Sequence, residues 1–213
     1  MRDQEDRPGL IADLPDPSLA ALPEAPIADG QDLTLTVDAK TEKAKTWNII
    51  AETTKGDDTN VQMVGAHLDS VTEGPGINDN GSGAAAILEV ATQLTKQRNV
   101  QGKLPNKVRF AWWGAEESGL VGSTYYVEQL PPEEKAKIKA YLNFDMIASP
   151  NFAYFVYDGD GSDFGLEGPT GSAAIEKLFE EYFALRGLPS EGDEITFRSD
   201  YAQFFTDGIA FGG

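Results

Sequence analysis

The chain has 213 residues, of which 40% are hydrophobic and 24% charged, so it can bury one substantial core. Its 35 Asp and Glu residues outnumber 17 Lys and Arg residues, and a net charge of −18 disfavours nucleic acid as a partner. The lack of cysteine excludes disulfides and thiolate metal ligands. No apolar stretch approaches the ~18 residues of a membrane helix. The acid excess fits either a well-solvated surface or, in part, cation binding.

Residues 1–44 are predicted to form an extended N-terminal arm. Prolines recur between Pro8 and Pro26 and break any long helix. The first six residues lack the basic-then-apolar pattern of a signal peptide. Residues 33–37 alternate strictly between apolar and polar side chains, which predicts a half-buried strand at the end of the arm.

From residue 45 onward, predicted strands alternate with predicted helices. Strands are expected at residues 47–53, 61–66, 107–113, 140–145 and 153–157, with a turn at 55–58 and a last strand that begins at Ile209. Helices are expected at about 80–97, 119–130 and 173–185, with a short one after Pro131. This order predicts an α/β three-layer sandwich, in which a mixed, mostly parallel β-sheet has helices on both faces. In such folds, sites form beyond the carboxyl ends of the parallel strands.

One imidazole and several carboxylates fall at those predicted strand ends. They are His67, which is the only histidine, Asp69, Asp79, Glu116, Glu117 and Asp145. Crowded carboxylates need a compensating charge, which a divalent metal supplies, and imidazole with carboxylate suits Zn²⁺. Two metals about 3.5–4 Å apart, with a water and a nearby base, are the usual machinery for hydrolysing a peptide bond.

Two details of local geometry sharpen this hypothesis. Residues i and i+2 of a strand point the same way, so Asp69 could contact His67 and orient its ring behind the metal. On an extended segment, Glu116 and Glu117 would face opposite ways, so that one binds metal and the other faces the substrate as a general base.

Each candidate also has a purely structural explanation. His67 could be an ordinary buried or surface histidine, and Glu116-Glu117 a solvated surface pair. Asp145 could cap a helix, and Asp79 could belong to a plain turn. The residues alone leave both explanations open.

Longer motifs carry a resemblance to a known family. They are His-Leu-Asp-Ser at 67–70, Gly-Ile-Asn-Asp-Asn-Gly-Ser-Gly at 76–83, Phe-Ala-Trp-Trp-Gly-Ala-Glu-Glu at 110–117 and Tyr-Leu-Asn-Phe-Asp-Met-Ile at 141–147. Together they resemble the secreted, double-zinc leucyl aminopeptidases of the Streptomyces type, in the aminopeptidase Y group of co-catalytic metallopeptidases. The resemblance covers about residues 45–213, which would form the catalytic domain of a zinc exopeptidase.

The resemblance implies a role for each residue. His67, Asp79, Glu117 and Asp145 would bind two zinc ions, Glu116 would be the general base, and the Asp79–Asn80 peptide would be cis. Asp145, Arg198 and Met146 would contact the substrate. That substrate would be a peptide with a free N-terminus and a large apolar first residue, hydrolysed by a secreted enzyme. Neither nucleic acid nor membrane is expected as a partner, and no feature of the sequence indicates an oligomeric state.

The sequence departs from the family pattern in several places. Tyr201 stands where the family commonly has a histidine. The fifth zinc ligand would be a histidine beyond Gly213, so the domain is expected to be incomplete at its C-terminus, with one weakened zinc site and reduced activity. Residues 1–44 resemble the flank of a protease-associated domain. Two alternatives stay open: a non-catalytic relative that acts as a binding module, and a zinc acyltransferase of the glutaminyl cyclase kind.

Overall fold

A computed structural model describes residues 36–40, 42–96 and 104–213, and the chain divides into two units, residues 1–45 and 46–213. The predicted arm lies almost entirely outside the described residues. So does most of the strand expected at 33–37, whose described part, residues 36 and 37, has no regular secondary structure.

The second unit is built on a five-stranded sheet. The strands in chain order are β1 (Ile49–Glu52), β2 (Asp57–His67), β3 (Asn106–Trp113), β4 (Ile138–Asn143), β5 (Tyr154–Tyr157), β6 (Ser190–Asp193) and β7 (Phe211–Gly212). The sheet order is β1-β3-β2-β4-β7, and β5 and β6 form a separate parallel pair. Among the described strands of this sheet, only β1 runs antiparallel to its neighbour. The predicted mixed, mostly parallel sheet is therefore confirmed.

Five helices are described in this unit: α1 (Gly83–Lys96), α2 (Val121–Gln129), α3 (Pro132–Lys135), α4 (Ser172–Leu185) and α5 (Ala202–Thr206). Successive side chains of a strand point to opposite faces of its sheet. Val64 and Ala66 pack with residues of α1 on one face, whereas Met63 packs with Val127 of α2 and Phe204 of α5 on the other. Helices cover both faces, so the three-layer arrangement is confirmed. Among the described residues, no helix has both the length and the apolar character that crossing a bilayer would need.

β2 is the central strand, and its sequence reflects that position. It pairs with β3 on one side and β4 on the other, so residues 63–67 are all buried. A strand buried on both faces has a continuous apolar sequence rather than an alternating one. Gly65 is paired with both Ala111 and Asn143, which brings the carboxyl ends of the three strands to one edge.

The structure differs from the predicted elements in three places. β2 begins at Asp57, because the turn is completed by Gly56 at φ 105° and the Asp57 carboxylate accepts two hydrogen bonds from Thr59. β3 ends at Trp113, so Glu116 and Glu117 lie on a turn rather than on an extended segment. The short elements β6 and α5 were not predicted.

Candidate metal centre

Three adjacent strands deliver the candidate residues to one edge of the sheet. His67 is the last residue of β2, Glu116 and Glu117 follow β3, and Asp145 follows β4. Asp79 comes from a kinked helical turn, Ile77–Ser82, that joins β2 to α1. The sequence predicted this convergence, and the order of the parallel strands produces it.

The ring of His67 is the centre of the cluster. Its side chain is 1% exposed, and Nε2 lies 3.1 Å from Oδ1 of Asp79, 3.2 Å from Oδ1 of Asp145 and 3.9 Å from Oε2 of Glu116. On the other side of the ring, Nδ1 lies 3.0 Å from the carbonyl oxygen of Asp69. A proton on Nδ1 satisfies that carbonyl and leaves the Nε2 lone pair facing the carboxylates, as metal ligation requires.

Asp69 does a different job from the one expected of it. Its carboxylate is 3.8 Å from Nδ1 of His67, and the carbonyl rather than the carboxylate makes the close contact with the ring. The carboxylate instead accepts hydrogen bonds from the backbone N–H groups of Glu116, at 3.0 Å, and Glu117, at 3.2 Å. Asp69 therefore holds the two glutamates in place.

Glu116 and Glu117 begin a tight turn. Ala115 adopts φ 57°, and the carbonyl of Glu116 accepts hydrogen bonds from the N–H groups of Gly119 and Leu120. The turn buries the Glu116 carboxylate beside His67, while Oε1 of Glu117 is buried without a hydrogen-bond partner among the described residues. The sequence analysis assumed an extended segment, on which the two side chains would face opposite ways. That assumption was wrong, because the backbone turns here.

The donors fall into two overlapping sets. His67, Asp79 and Asp145 offer one ligand atom each within 4.8 Å of one another, and so do His67, Glu116 and Glu117. Imidazole with carboxylate oxygen is a donor set that Zn²⁺ accepts. A cation would also give the orphaned oxygen of Glu117 the partner it lacks, so the residues present fit a zinc centre.

Crowding of like charges is visible in the acid–base properties of the cluster. Burial, followed by the charge of Asp200, raises the pKa of Glu116 to about 8. Burial also raises the pKa of Asp200 to about 7. Burial opposes protonation of His67, but the hydrogen bond and charge of Asp145 raise its pKa to about 10. Without a metal, the cluster retains protons to balance its carboxylates.

A buried amide holds the Asp79 turn against the end of β4. Asn80 donates a hydrogen bond of 2.9 Å to the carbonyl of Phe144, and its Oδ1 accepts from the N–H groups of Gly83 and Met146. The Asp79–Asn80 peptide is cis, which confirms the expectation from the family resemblance.

The candidate substrate residues lie in different positions. Arg198, Glu116, Leu120 and Phe197, among others, line an open cleft of about 370 Å³ beside the cluster. Met146 follows Asp145 and is 54% exposed, but it does not line that cleft.

Tyr201, at the position that is commonly histidine in the family, holds the backbone beside Phe197, which lines this cleft. Its hydroxyl accepts hydrogen bonds from the N–H groups of Thr196 and Phe197. Tyrosine therefore has a structural function at this position.

Sequence reasoning placed Ser199 and Asp200 only in a segment that resembles the family's substrate pocket, and did not predict their position beside the cluster. Ser199 donates a hydrogen bond to Oδ2 of Asp145. Asp200 is 1% exposed, and its charge raises the pKa values of both His67 and Glu116. The only signal was their place next to Arg198 in the family resemblance. Nothing in their local pattern predicts contact with residues more than fifty positions away.

A mixed α/β sheet here gathers imidazole and carboxylates at the carboxyl ends of its parallel strands, which is where proteins of the α/β class place their functional sites. Residues 48–213 match peptidase family M28, and the chain belongs to that family. An aminopeptidase of Pseudomonas aeruginosa is 70% identical over 181 residues, which are 85% of this chain and 33% of that protein. Leucine aminopeptidase 2 of Trichophyton equinum is 54% identical over 188 residues, 88% of this chain and 37% of that protein.

Solved structures show the same architecture. The structure of BSAP, a zinc aminopeptidase from Bacillus subtilis, matches with a TM-score of 0.63 and 29% identity, over 78% of this chain and 38% of that chain. The chain spans about a third of the length of the curated relatives it matches.

Proposed function

We propose that this chain carries the catalytic core of a zinc aminopeptidase, which removes the first residue from peptides with a free N-terminus. The observation that carries the proposal is the convergence of Asp79 and Asp145 on Nε2 of His67, with the buried Glu116 beside them. Membership of family M28 and the aminopeptidases among the relatives support it.

Each residue has a defined task in this proposal. His67, Asp79, Glu117 and Asp145 hold the zinc, which when bound supplies Lewis acidity at the scissile carbonyl. Glu116 takes the proton from the attacking water and delivers it to the leaving amine. Asp69 positions Glu116 and Glu117 through their backbone N–H groups.

Substrate selection follows from the charge and shape of the cleft. The carboxylates around Asp145 attract the positively charged N-terminus of a peptide. Leu120 and Phe197 give the cleft apolar walls, which favours a large apolar first residue, and Arg198 completes the lining. Met146, on the exposed side of Asp145, is a further candidate contact. We extend the proposal to a secreted enzyme of the Streptomyces type, as the sequence motifs suggest.

The decisive experiment replaces Glu116 by Gln, which preserves its size and removes the proton acceptor. Hydrolysis of leucine p-nitroanilide by the zinc-loaded chain should fall about 10²–10⁴-fold, while the bound zinc and the circular dichroism spectrum stay unchanged. Glu133→Gln, on the exposed helix α3, is the matched control and should keep wild-type activity.

The alternatives give different results in the same assay. A binding module would show no zinc-dependent hydrolysis and would bind peptide equally well with Gln at position 116. A glutaminyl cyclase would release ammonia from peptides that begin with glutamine and leave leucine p-nitroanilide intact. Either result would overturn the proposal.

We also propose that one of the two zinc sites is weak in this chain. Family resemblance implies a histidine for each metal, and His67 is the only histidine among the 213 residues. Dialysis against metal-free buffer should therefore leave about one tightly held zinc per chain, with reduced turnover. Two tightly bound ions with normal turnover of leucine p-nitroanilide would contradict this.

A further inference from the structure

Residues 114–122, which we call the glutamate loop, carry Glu116 and Glu117 and run from the end of β3 into the first turn of α2. The two ends of this loop are buried and lie against each other. A Cβ added at Gly122 would overlap the carbonyl oxygen of Gly114 and lie 2.9 Å from its nitrogen. The loop therefore leaves the sheet and returns to the same place, like other compact loops whose ends form a narrow neck.

The side chain of Asn48 bridges this neck. Its Oδ1 accepts a hydrogen bond of 3.1 Å from the N–H of Gly114, and its Nδ2 donates one of 2.8 Å to the carbonyl of Gly122. A primary amide suits this position, because it offers an acceptor and a donor on one rigid plane. A single side chain therefore ties the start of the glutamate loop to its end.

The sheet determines why Asn48 lies at the neck. Because β1 runs antiparallel to β3, the residues just before β1 lie beside the residues just after β3. The contact is close along the backbone as well. A Cβ added at Gly114 would overlap the hydroxyl oxygen of Thr46 and lie 2.6 Å from the carbonyl oxygen of Trp47. The chain that enters β1 is thus packed against the start of the glutamate loop.

The backbone of the glutamate loop needs such support. Ala115 and Leu120 have φ values of 57° and 59°, and Gly119 lies between them at 97°. Side chains other than glycine disfavour this left-handed region, and they remain in it only where their surroundings hold them. Asp69 holds the middle of the loop through two backbone N–H groups, and Asn48 holds its two ends.

We propose that Asn48 is a positioning residue for the proposed hydrolysis. It closes the neck of the glutamate loop, so that Glu116 stays beside His67 and Glu117 keeps its place as a zinc ligand. Asn48 acts through the backbone at the two ends of the loop and not by binding metal or substrate. This inference rests on the proposed function, which gives the two glutamates their tasks.

The test begins with Asn48→Ala, which removes both hydrogen bonds. Hydrolysis of leucine p-nitroanilide by the zinc-loaded chain should fall about 10²-fold, the effect of moving a reacting group by about 1 Å. Zinc affinity, measured by competition with a zinc-binding dye, should fall about 10-fold because Glu117 is displaced. Gly122→Ala forces the neck apart while Asn48 is still present, so it should lower both quantities as well.

Thr53→Val is the matched control. The hydroxyl of Thr53 also makes two hydrogen bonds to the backbone, accepting one of 3.0 Å from the N–H of Val108 and donating one of 2.8 Å to the carbonyl of Lys55. These bonds lie near the start of β3, at the opposite end from the glutamate loop. Thr53→Val should therefore lower the melting temperature about as much as Asn48→Ala does, and leave turnover and zinc affinity unchanged.

Hydrogen exchange followed by mass spectrometry separates a local effect from a global one. The N–H groups of residues 119–121 make the hydrogen bonds inside the glutamate loop. Asn48→Ala should speed their exchange about tenfold more than exchange in β2, whereas Thr53→Val should not.

The proposal is overturned if Asn48→Ala keeps wild-type turnover and zinc affinity, or if exchange rises equally in the glutamate loop and in β2. Failure of the proposed function gives a different result. In that case the wild type itself would not hydrolyse leucine p-nitroanilide, while zinc affinity and hydrogen exchange would still decide whether Asn48 positions the loop.

Discussion

The hydroxyl of Ser199 donates a hydrogen bond of 2.7 Å to Oδ2 of Asp145. The same hydroxyl accepts one of 2.8 Å from Nδ2 of Asn143, whose Oδ1 in turn accepts one of 2.9 Å from the hydroxyl of Tyr141. Trp113 closes the series with a hydrogen bond of 2.9 Å to Tyr141. A buried polar network therefore runs from the aromatic core to a carboxylate of the metal centre.

Ser199→Ala should weaken both stability and metal binding. It leaves Oδ2 of Asp145 and Nδ2 of Asn143 short of a partner, so the free energy of unfolding should fall by about 1–3 kcal/mol. Loss of the hydrogen bond that orients Asp145 should lower zinc affinity about 10–100-fold. Urea unfolding and competition with a zinc-binding dye measure the two effects. Ser190→Ala, on β6, is the control, and equal behaviour of the two variants would contradict the prediction.

Gly83→Ala should disturb the contact between the Asp79 turn and the end of β4. An added Cβ would overlap the carbonyl oxygen of Phe144 and lie 2.5 Å from Oδ1 of Asn80. We expect a loss of about 1–3 kcal/mol in unfolding free energy, with weaker zinc binding. Gly74→Ala adds the same methyl group where no atom lies within 4 Å, so it should change stability by less than about 0.5 kcal/mol. Comparable losses in both variants would show that the contact is unimportant.

Asp69→Asn separates two possible tasks of this side chain. Asparagine keeps only one of the two acceptor oxygens, so the N–H of either Glu116 or Glu117 loses its hydrogen bond, and the turn that carries both glutamates should shift. Activity should fall about 10–100-fold. The carbonyl of residue 69 still contacts His67, so any loss of zinc affinity should come from the displaced Glu117 and should not exceed the loss of activity. Steady-state kinetics and zinc titration together distinguish positioning of the glutamates from orientation of His67. A large loss of zinc affinity with little loss of kcat would favour a direct role of the Asp69 carboxylate in orienting His67.

Removal of zinc should lower the melting temperature. Metal that binds the folded state alone stabilises by about 2.7 kcal/mol at a hundredfold excess over its dissociation constant, or about 5 °C or more at this length. Differential scanning calorimetry with and without 1,10-phenanthroline measures the change. Asp79→Asn should be nearly insensitive to the chelator, and an equal response would place the metal elsewhere.

Arg109 should stabilise the sheet without affecting catalysis. Its guanidinium donates hydrogen bonds of 2.6 Å to Glu52 on β1 and 2.7 Å to the hydroxyl of Tyr126 on α2, and its side chain is largely buried. Arg109→Met should lower the free energy of unfolding by about 1–3 kcal/mol and leave kcat unchanged. Lys177→Met, which breaks an exposed pair with Glu181, should cost less than about 0.5 kcal/mol in urea unfolding. A loss of activity in Arg109→Met would show that Arg109 does affect the candidate metal centre.

The parts of the fold that the sequence predicted are those whose burial leaves a pattern. Apart from Gln62, residues 61–66 of β2 are apolar, because neighbours cover both faces and both edges of the strand. The rule that sites form beyond the carboxyl ends of parallel strands then placed His67, Asp79 and Asp145 at one edge, where the structure brings them together. β6 escaped prediction because Ser190–Asp193 is a short, polar, largely exposed strand that pairs only with β5.

Other features depend on contacts that a local pattern does not encode. The positive φ of Ala115 turns the chain before Glu116, so an argument from extended geometry failed there. The carboxylate of Asp69 accepts hydrogen bonds from the N–H groups of that turn, and the carbonyl of Asp69 makes the close contact with His67. Glu176 on α4 accepts a hydrogen bond from the N–H of Asp160 in the loop after β5, and the local sequence of a loop rich in Gly and Asp does not predict that contact.

The distance between neighbouring strands sets how far apart the residues of the candidate metal centre leave the sheet. Neighbouring strands in any sheet lie about 4.8 Å apart, and β2, β3 and β4 are adjacent. The backbone positions just beyond the ends of adjacent strands are therefore about one strand width apart, and the side chains bring Nε2 of His67 to 3.2 Å from Asp145 and 3.9 Å from Glu116. The separation of the candidate ligands follows from the backbone hydrogen bonding of the sheet, so connections between these strands can vary in length without changing that separation.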